Sequence, residues 1–207
     1  MFVRFFAIGA AALLAGTASA DLFMLNEDLR LLTRPDSDNG PLTTGTGVTV
    51  LTFASGFGFR GNFEFDLAEE IALSGSTVQS ANWSGVLDPS GTISSTLISL
   101  LAYQGSLESE DTSTLHDVTD TEGGVVVGTL TVEGSENVQF SVDVTSAIQA
   151  ILDGGGDIFG GQVQSEANSQ QLFVTGATTL TIELVPTPGA ATLAGIAGMA
   201  AFRRRRV

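Results

Sequence analysis

Arg60 is the residue whose type and surroundings most invite chemistry. It is the only basic residue between Arg34 and a block at the C-terminus, and Glu64 and Asp66 follow it closely, with Asp143 further on. A guanidinium is a planar fork of donors that can hold a carboxylate with two hydrogen bonds. One reading is a contact to a sugar or a carboxylate ligand. The other, which carries more weight for a mid-strand arginine, is a structural pair with Asp66 or Asp143 that fixes strand register. Trp83 and Tyr103 are the sole tryptophan and tyrosine. Their flat faces can stack on sugar rings, but each lies in a segment that reads as strand, where core packing is the commoner fate.

The acidic residues suggest a second chemistry. Glu108, Glu110 and Asp111, with Asp117, Asp120 and Glu122 beyond them, gather the hard oxygens that calcium takes. Asp36-Ser37-Asp38-Asn39-Gly40 and Asp153-Gly154-Gly155-Gly156-Asp157 are smaller candidates. None has the spacing of a helix–loop–helix calcium loop, so a solvated acidic loop is the heavier reading. Calcium is thus the one ion the chain suggests, and no organic cofactor is indicated. Catalysis finds little support. His116 is the only histidine, whereas hydrolytic metal sites need more. No serine sits in a nucleophile elbow, and no spacing singles out a glycosidase carboxylate pair. The expectation is a protein that is not an enzyme.

The elements that would position these residues read as strands. In 57–67, Phe57, Phe59, Gly61, Phe63, Phe65 and Leu67 fall on one face, and Gly58, Arg60, Asn62, Glu64 and Asp66 on the other. Strict alternation over that length predicts a half-buried strand. Segments 138–143 and 178–184 alternate likewise, and 48–53, 77–86, 92–103, 125–132, 162–164 and 171–175 are further strand candidates. Turn signals at 88–91, 122–124 and 133–135 separate them. One helix is expected, because Val144, Ala147, Ile148, Ile151 and Leu152 follow helical spacing, with Thr145 as N-cap and Gly154 just past the end. Asp143 and Thr145 are read as helix-start residues. Many short strands with one small helix predict an all-β, antiparallel, jelly-roll-like β-sandwich.

Composition narrows the partners. All eight basic residues are arginines, and the 23 acidic residues lie within 21–184. Only Arg30, Arg34 and Arg60 accompany them there, which leaves that segment near a net charge of −20. Such a surface repels nucleic acid and anionic lipid. The absence of cysteine excludes disulfides and thiolate sites, so stability rests on packing.

The two ends read as addresses. Arg4, the apolar stretch 5–14 and the small residues Thr17-Ala18-Ser19-Ala20 form a secretory signal helix with cleavage before Asp21. At the other end, Val185-Pro186-Thr187-Pro188-Gly189 leads into an apolar run over 190–202 that stops at Arg203, Arg204, Arg205 and Arg206. Arginines after an apolar run stay on the cytoplasmic side. As a helix the run spans ~20 Å at ~1.5 Å per residue, short against a bilayer core of ~30 Å. A marginal anchor suits a removable signal. The expected organisation is a signal peptide at 1–20, a β-sandwich domain at 21–184 and a sorting tail with a hydrophobic helix at 185–207.

This tail resembles a PEP-CTERM sorting signal: a proline-containing motif, a short apolar helix and an arginine cluster. Thr187 stands where the family's name motif has glutamate. The resemblance implies a bacterial precursor, an N-terminal cut by signal peptidase, tail processing by an exosortase-like enzyme, and delivery to the cell surface or its polysaccharide matrix, with the membrane engaged only through the tail. A second resemblance covers most of 60–184. Arg60-Gly-Asn-Phe-Glu-Phe-Asp-Leu67, then Ser76-Thr-Val-Gln-Ser-Ala81, then Phe140-Ser-Val-Asp-Val-Thr145 with its helix, are similar to DNRLRE-type domains. Those are jelly-roll sandwiches related to carbohydrate-binding modules. The strand usually found upstream is poorly matched in 22–46.

Three functions therefore stand in order: a non-catalytic surface or matrix protein that meets extracellular polysaccharide or neighbouring surface proteins; a lectin-like binder with a defined, calcium-assisted sugar site; and, last, a secreted carbohydrate-active hydrolase.

Overall fold

The structure, a computed structural model, describes residues 20–33, 47–52, 60–68, 76–89, 91–106, 124–165 and 170–186. These form β1 (Asp21–Asn26), β2 (Leu29–Thr33), β3 (Gly47–Thr52), β4 (Arg60–Asp66), β5 (Ser76–Pro89), β6 (Ile93–Gln104), β7 (Val125–Gly134), β8 (Val138–Asp143), α1 (Thr145–Asp153), β9 (Ile158–Ser165) and β10 (Gln170–Pro186). They make two antiparallel sheets. In the first, β10 lies between β5 and the end-to-end pair β1 and β3, and β8 follows β5; the second runs β2-β4-β9-β6-β7. Successive strands change sheet at every step except β6 to β7, the alternation that closes a jelly-roll-like sandwich. The all-β expectation holds. The signal helix and the hydrophobic tail helix fall outside the described residues. Among the described residues no helix is long and apolar enough to cross a membrane.

Inward-facing positions alternate along each strand and fill the space between the sheets. Phe63, Phe65, Trp83 and Phe159 are fully buried there. Phe140 meets the Trp83 indole edge-on, with ring centroids 5.1 Å apart, and Phe63 lies 6.0 Å from it on the other side. Burying each such side chain contributes ~1.5–3 kcal/mol. The Trp83 Nε1–H has no hydrogen-bond partner among the described residues, a penalty of ~1–3 kcal/mol that its packing must exceed.

β9 runs between two aromatic rings. A Cβ on Gly161 would sit 2.8 Å from the Trp83 ring on the core side, and a Cβ on Gly160 only 2.3 Å from the Tyr103 ring on the outer side. Tyr103 and Gly160 are cross-strand partners, so the ring lies over the bare backbone next to it.

β4 departs from the half-buried expectation. Its inward residues are buried as read, but Asn62 and Glu64 on the outward face are also almost wholly buried. Gln162 Nε2 donates to Asn62 Oδ1 at 2.9 Å, and the Tyr103 hydroxyl donates to Glu64 Oε1 at 3.0 Å. Polar residues can occupy a buried face when each finds a partner elsewhere in the sheet, Asn62 on adjacent β9 and Glu64 on β6 across Gly160, and alternation alone does not reveal that.

β1 and β2 were not expected as strands. The chain turns from one sheet to the other at Glu27 and Asp28, and Arg30 of β2 points into the sandwich. It is ion-paired to Glu27, lies 5.1 Å from the Phe63 ring and donates to the Val174 carbonyl. Glu27 in turn accepts from the fully buried Thr178 hydroxyl at 2.9 Å. β10 was expected as two strands over 171–175 and 178–184. It is one, because Gly176, at φ +70, forms a bulge and β5 pairs on both sides of it.

α1 begins one residue earlier than expected. Val144 is the N-cap, Thr145 is the first helical residue, and Asp143 Oδ1 accepts from the Thr145 N–H at 2.8 Å. The Thr145 hydroxyl instead accepts from Ala81 N–H of β5 at 2.8 Å, which staples the helix to the sheet. At the other end Gly155, at φ +78, takes the left-handed position expected of Gly154. Gly155 N–H bonds to Leu152 O and Gly156 N–H to Ile151 O, the Schellman pattern.

Gly160→Ala is expected to destabilise the protein by ~1–3 kcal/mol through overpacking. The cost should shrink in a Tyr103→Ala background, where the opposing ring is gone. A denaturant-unfolding double-mutant cycle reads the coupling, and purely additive effects would refute the ring-over-glycine packing.

Candidate functional site

The sandwich has two outer faces, and they differ in kind. On the β2-β4-β9-β6-β7 sheet, register sets Glu64 beside Gly160 and Gly160 beside Tyr103, while Asn62 neighbours Gln162 and Gln162 neighbours Leu101. All of these are at most a few per cent exposed. Ser106 N–H also approaches Glu64 Oε2, at 3.4 Å. Over β4, β9 and the end of β6 this face is a closed polar seam, while along β7 Thr129 and Thr131 are exposed.

The outer face of the β10-β5-β8 sheet is open. One row runs Asp143, Asn82, Thr181 and Met24; the next runs Ser141, Ser84, Thr179 and Asn26. Ser80 and Glu183 flank the first row, and Gln139 and Val86 extend beyond the second. Asn82, Ser141, Gln139, Asp143 and Asn26 are exposed, and their row neighbours on β5 and β10 are half-buried. The face arises because β5 and β8 place their apolar residues inward: Ala81, Trp83 and Leu87 alternate with Asn82, Ser84 and Val86, and Phe140 and Val142 with Gln139 and Ser141. Strands ~4.8 Å apart, with same-face residues ~6.6 Å apart along each, give a regular grid. Ser84 Oγ and Thr179 Oγ1 are 2.8 Å apart, and Ser80 Oγ donates to Glu183 Oε2 at 3.1 Å. The grid offers amides and hydroxyls that both donate and accept, with carboxylates at its corners. Such groups suit a neutral, hydroxyl-bearing surface.

Asp143 is the corner with a perturbed proton affinity. The Thr145 hydroxyl, and then the Thr145 backbone N–H, hold its carboxyl below the ordinary aspartate value, with slight burial opposing them. It therefore stays ionised beside Asn82.

The residues singled out from the sequence are scattered. Trp83 is fully buried in the core and Tyr103 is 3% exposed on the closed seam, so neither offers a face for a sugar to stack on. Both are held by the β9 glycines, a constraint their own positions in sequence do not announce. Arg60 lies half-buried on the closed face, at the end of β4 opposite Thr33. Neither expected partner is within reach. Asp143 belongs to the other sheet, and Asp66 lies six residues along the same strand, ~20 Å away at ~3.3 Å per residue. Asp66 instead accepts from Ala68 N–H at 2.8 Å. Asp153 and Asp157 flank the helix stop, where Asp153 Oδ1 accepts from Gln149 Nε2 at 2.7 Å and Asp157 O from Leu67 N–H.

Glu108, Glu110 and Asp111, His116, and the 36–40 cluster lie outside the described residues, as do Thr187, Pro188, Gly189 and Arg203 to Arg206 of the tail. Val185 and Pro186 are the last two residues of β10 and pair with Thr77 and Ser76. Among the described residues no group of three or more acidic or histidine side chains could hold a metal. Sequence reasoning missed the Arg30–Glu27–Thr178 cluster. A signal was available: in so acidic a chain, an arginine three residues after a glutamate is a ready ion pair.

A search of protein-family models finds no match, and no curated protein matches the sequence. Among solved structures the similarities are weak. A xylan-binding module, CBM15, is 10% identical with a TM-score of 0.46, covering 79% of this chain and 97% of its own. A protein of Desmodium yellow mottle tymovirus is 11% identical with a TM-score of 0.23, covering 82% and 92%. A protein from Bacteroides thetaiotaomicron described as a glycoside hydrolase is 10% identical with a TM-score of 0.23, covering 69% and 56%.

Asp143→Ala is expected to lower the melting temperature at pH 7 by removing the acceptor at the helix start. Because the folded carboxyl titrates below its unfolded value, its contribution is complete above the unfolded value and is lost as pH falls through the folded one. Wild-type and variant melting curves should therefore approach one another as pH falls below the ordinary aspartate range; a gap that does not narrow at all in acid would refute the assignment.

Proposed function

We propose that this is an exported, non-catalytic protein of the cell surface or its matrix, which meets extracellular polysaccharide through the open face of Gln139, Ser141, Asn82, Thr181 and Thr179. The address comes from the sequence: the signal peptide before Asp21 and the tail from Val185 to Arg206, which resembles an exosortase-processed sorting signal. The observation that carries the binding reading is the contrast between the outer faces. One encloses Asn62, Glu64, Gln162 and Tyr103 over β4, β9 and β6 and exposes Thr129 and Thr131 on β7; the other presents a grid of amides and hydroxyls across β5 and β8 to solvent.

Chemically, such a grid binds by many weak hydrogen bonds rather than by one deep pocket. Each net contribution is small, ~0.5–1.5 kcal/mol, so useful retention comes from repetition along a polymer. With a charge near −20 on 21–184, a neutral glycan meets less repulsion than an anionic one unless a divalent cation bridges the two. A lectin site built on Trp83 and Tyr103 loses its basis, since both rings are enclosed.

Two measurements test the reading. Mass spectrometry of the protein recovered from its host should find a chain that begins at Asp21 and ends at or shortly after Val185, in the envelope or medium. Recovery from the cytosol with Met1 and Val207 intact would overturn it. Co-sedimentation with the host's exopolysaccharide, with and without calcium, should fall severalfold in an Asn82→Ala/Ser141→Ala/Gln139→Ala variant of unchanged melting temperature. Unchanged retention would remove this face from the account.

A further inference from the structure

β1 is an edge strand. It pairs with β10 on one side, and its other side carries no strand among the described residues. Alternate backbone N–H and C=O groups of such an edge face outward and can template another strand. Natural sheets blunt exposed edges with charge, proline or bulges. In β1 only Asp21, at its very start, is charged; the strand has no proline, and its pairing with β10 runs without a register shift. Leu22 and Met24 stand on its outer face, 69% and 71% exposed.

We propose that β1 is a self-association edge at which two copies of this chain pair antiparallel about a two-fold axis. The stretch Leu22-Phe23-Met24 is self-complementary in one register, which sets Asp21 of each copy beside Leu25 of the other at the rim of the pair. With the axis at Phe23, Leu22 of each copy lies opposite Met24 of the other, and Phe23 lies opposite its own counterpart. Two large apolar pairs then form on the outer face, where cross-strand neighbours interact most strongly, while Phe23 continues the inner layer. A one-residue slip would set each exposed apolar side chain against an inward-facing one.

Exposed apolar bulk and low charge together mark this edge. The β8 edge carries Asp143 and the β7 edge Glu133, each at or near a strand end as Asp21 is in β1, and β3, on the same side of β10, carries none. Between Leu22 and Asn26 no charge stands in a segment near −20, so like-charged bodies can approach here with little opposition. Long-range repulsion still acts, and salt screens it, since the Debye length falls from ~10 Å at 0.1 M to ~3 Å at 1 M. Dimerisation should therefore strengthen as salt rises. The axis is normal to the sheet, so the two open polar faces join into one continuous surface of twice the width.

The absence of cysteine makes the register directly readable. The full chain, exported and processed by its host, is prepared as two separate variants, Leu22→Cys and Met24→Cys. Residues directly opposite in an antiparallel pair have Cα atoms ~4.5–5.5 Å apart, within disulfide reach; residues two positions off do not. Mixing the two variants under mild oxidation should give severalfold more covalent dimer than either variant alone. In sedimentation, the wild type should shift toward dimer with concentration and salt, and Leu22→Glu/Met24→Glu should lose the dimer at an unchanged melting temperature. Three results would overturn the proposal: a wild type monomeric at every concentration and salt, a dimer that survives the double glutamate variant, or equal cross-linking in either variant alone.

Discussion

The architecture depends on two adjacent positions that have no side chain. Gly160 and Gly161 let β9 pass between the Tyr103 ring on one side and the Trp83 indole on the other. Any Cβ there would meet an aromatic ring at less than van der Waals distance, and interiors packed like crystals do not absorb such overlap. Two consequences follow. On the core side, Trp83 can approach the backbone and gather Phe63, Phe140 and Phe159 around it. On the outer side, Tyr103 lies across Gly160 and brings its hydroxyl to Glu64. The same pair of glycines thus builds the core and lets Tyr103 close the part of the outer face over β4 and β9.

A second constraint acts at the corner where the chain first crosses between sheets. Arg30 reaches from β2 to the β10 bulge, and Glu27 and Thr178 complete the cluster. An arginine is costly to enclose unless its charge is matched and its donors are used; here a carboxylate and main-chain carbonyls do both. The cluster ties the N-terminal strands to the last strand, which has the longest span in the fold. It also encloses one of the few cations in 21–184, so the solvent-facing surface is more uniformly acidic than the composition suggests.

Much of the fold was legible because its strands follow the period-two rule. The alternation in 138–143 and the inward set Phe63, Phe65 and Leu67 are borne out residue by residue. The helix was legible from the spacing of Val144, Ile148 and Ile151, although its cap moved by one residue because the Thr145 hydroxyl serves β5 instead. What alternation cannot show is whether a polar face is wet. Asn62 and Glu64 look solvent-bound in isolation, and they are buried only because Gln162 and Tyr103 arrive from strands far along the chain. The aromatic candidates failed for the complementary reason: a ring's fate is set by the glycines opposite it. The open face was present in the sequence as the polar half of two alternating segments, but only strand order joins Asn82 to Ser141 and Thr179. β1 and β2 escaped notice because neither Asp21–Asn26 nor Leu29–Thr33 alternates apolar and polar residues, and Arg30 is held inside by carbonyls of the distant β10 as well as by nearby Glu27.

The register of β1 against β10 sets Asp21 directly beside Leu184. The body therefore has its entry and its exit at one pole. A sandwich built this way is a pendant rather than a bridge: chain attached at either end leaves from the same rim, and a single short linker could close it into a ring or let it be spliced into a loop of another protein without disturbing the sheets.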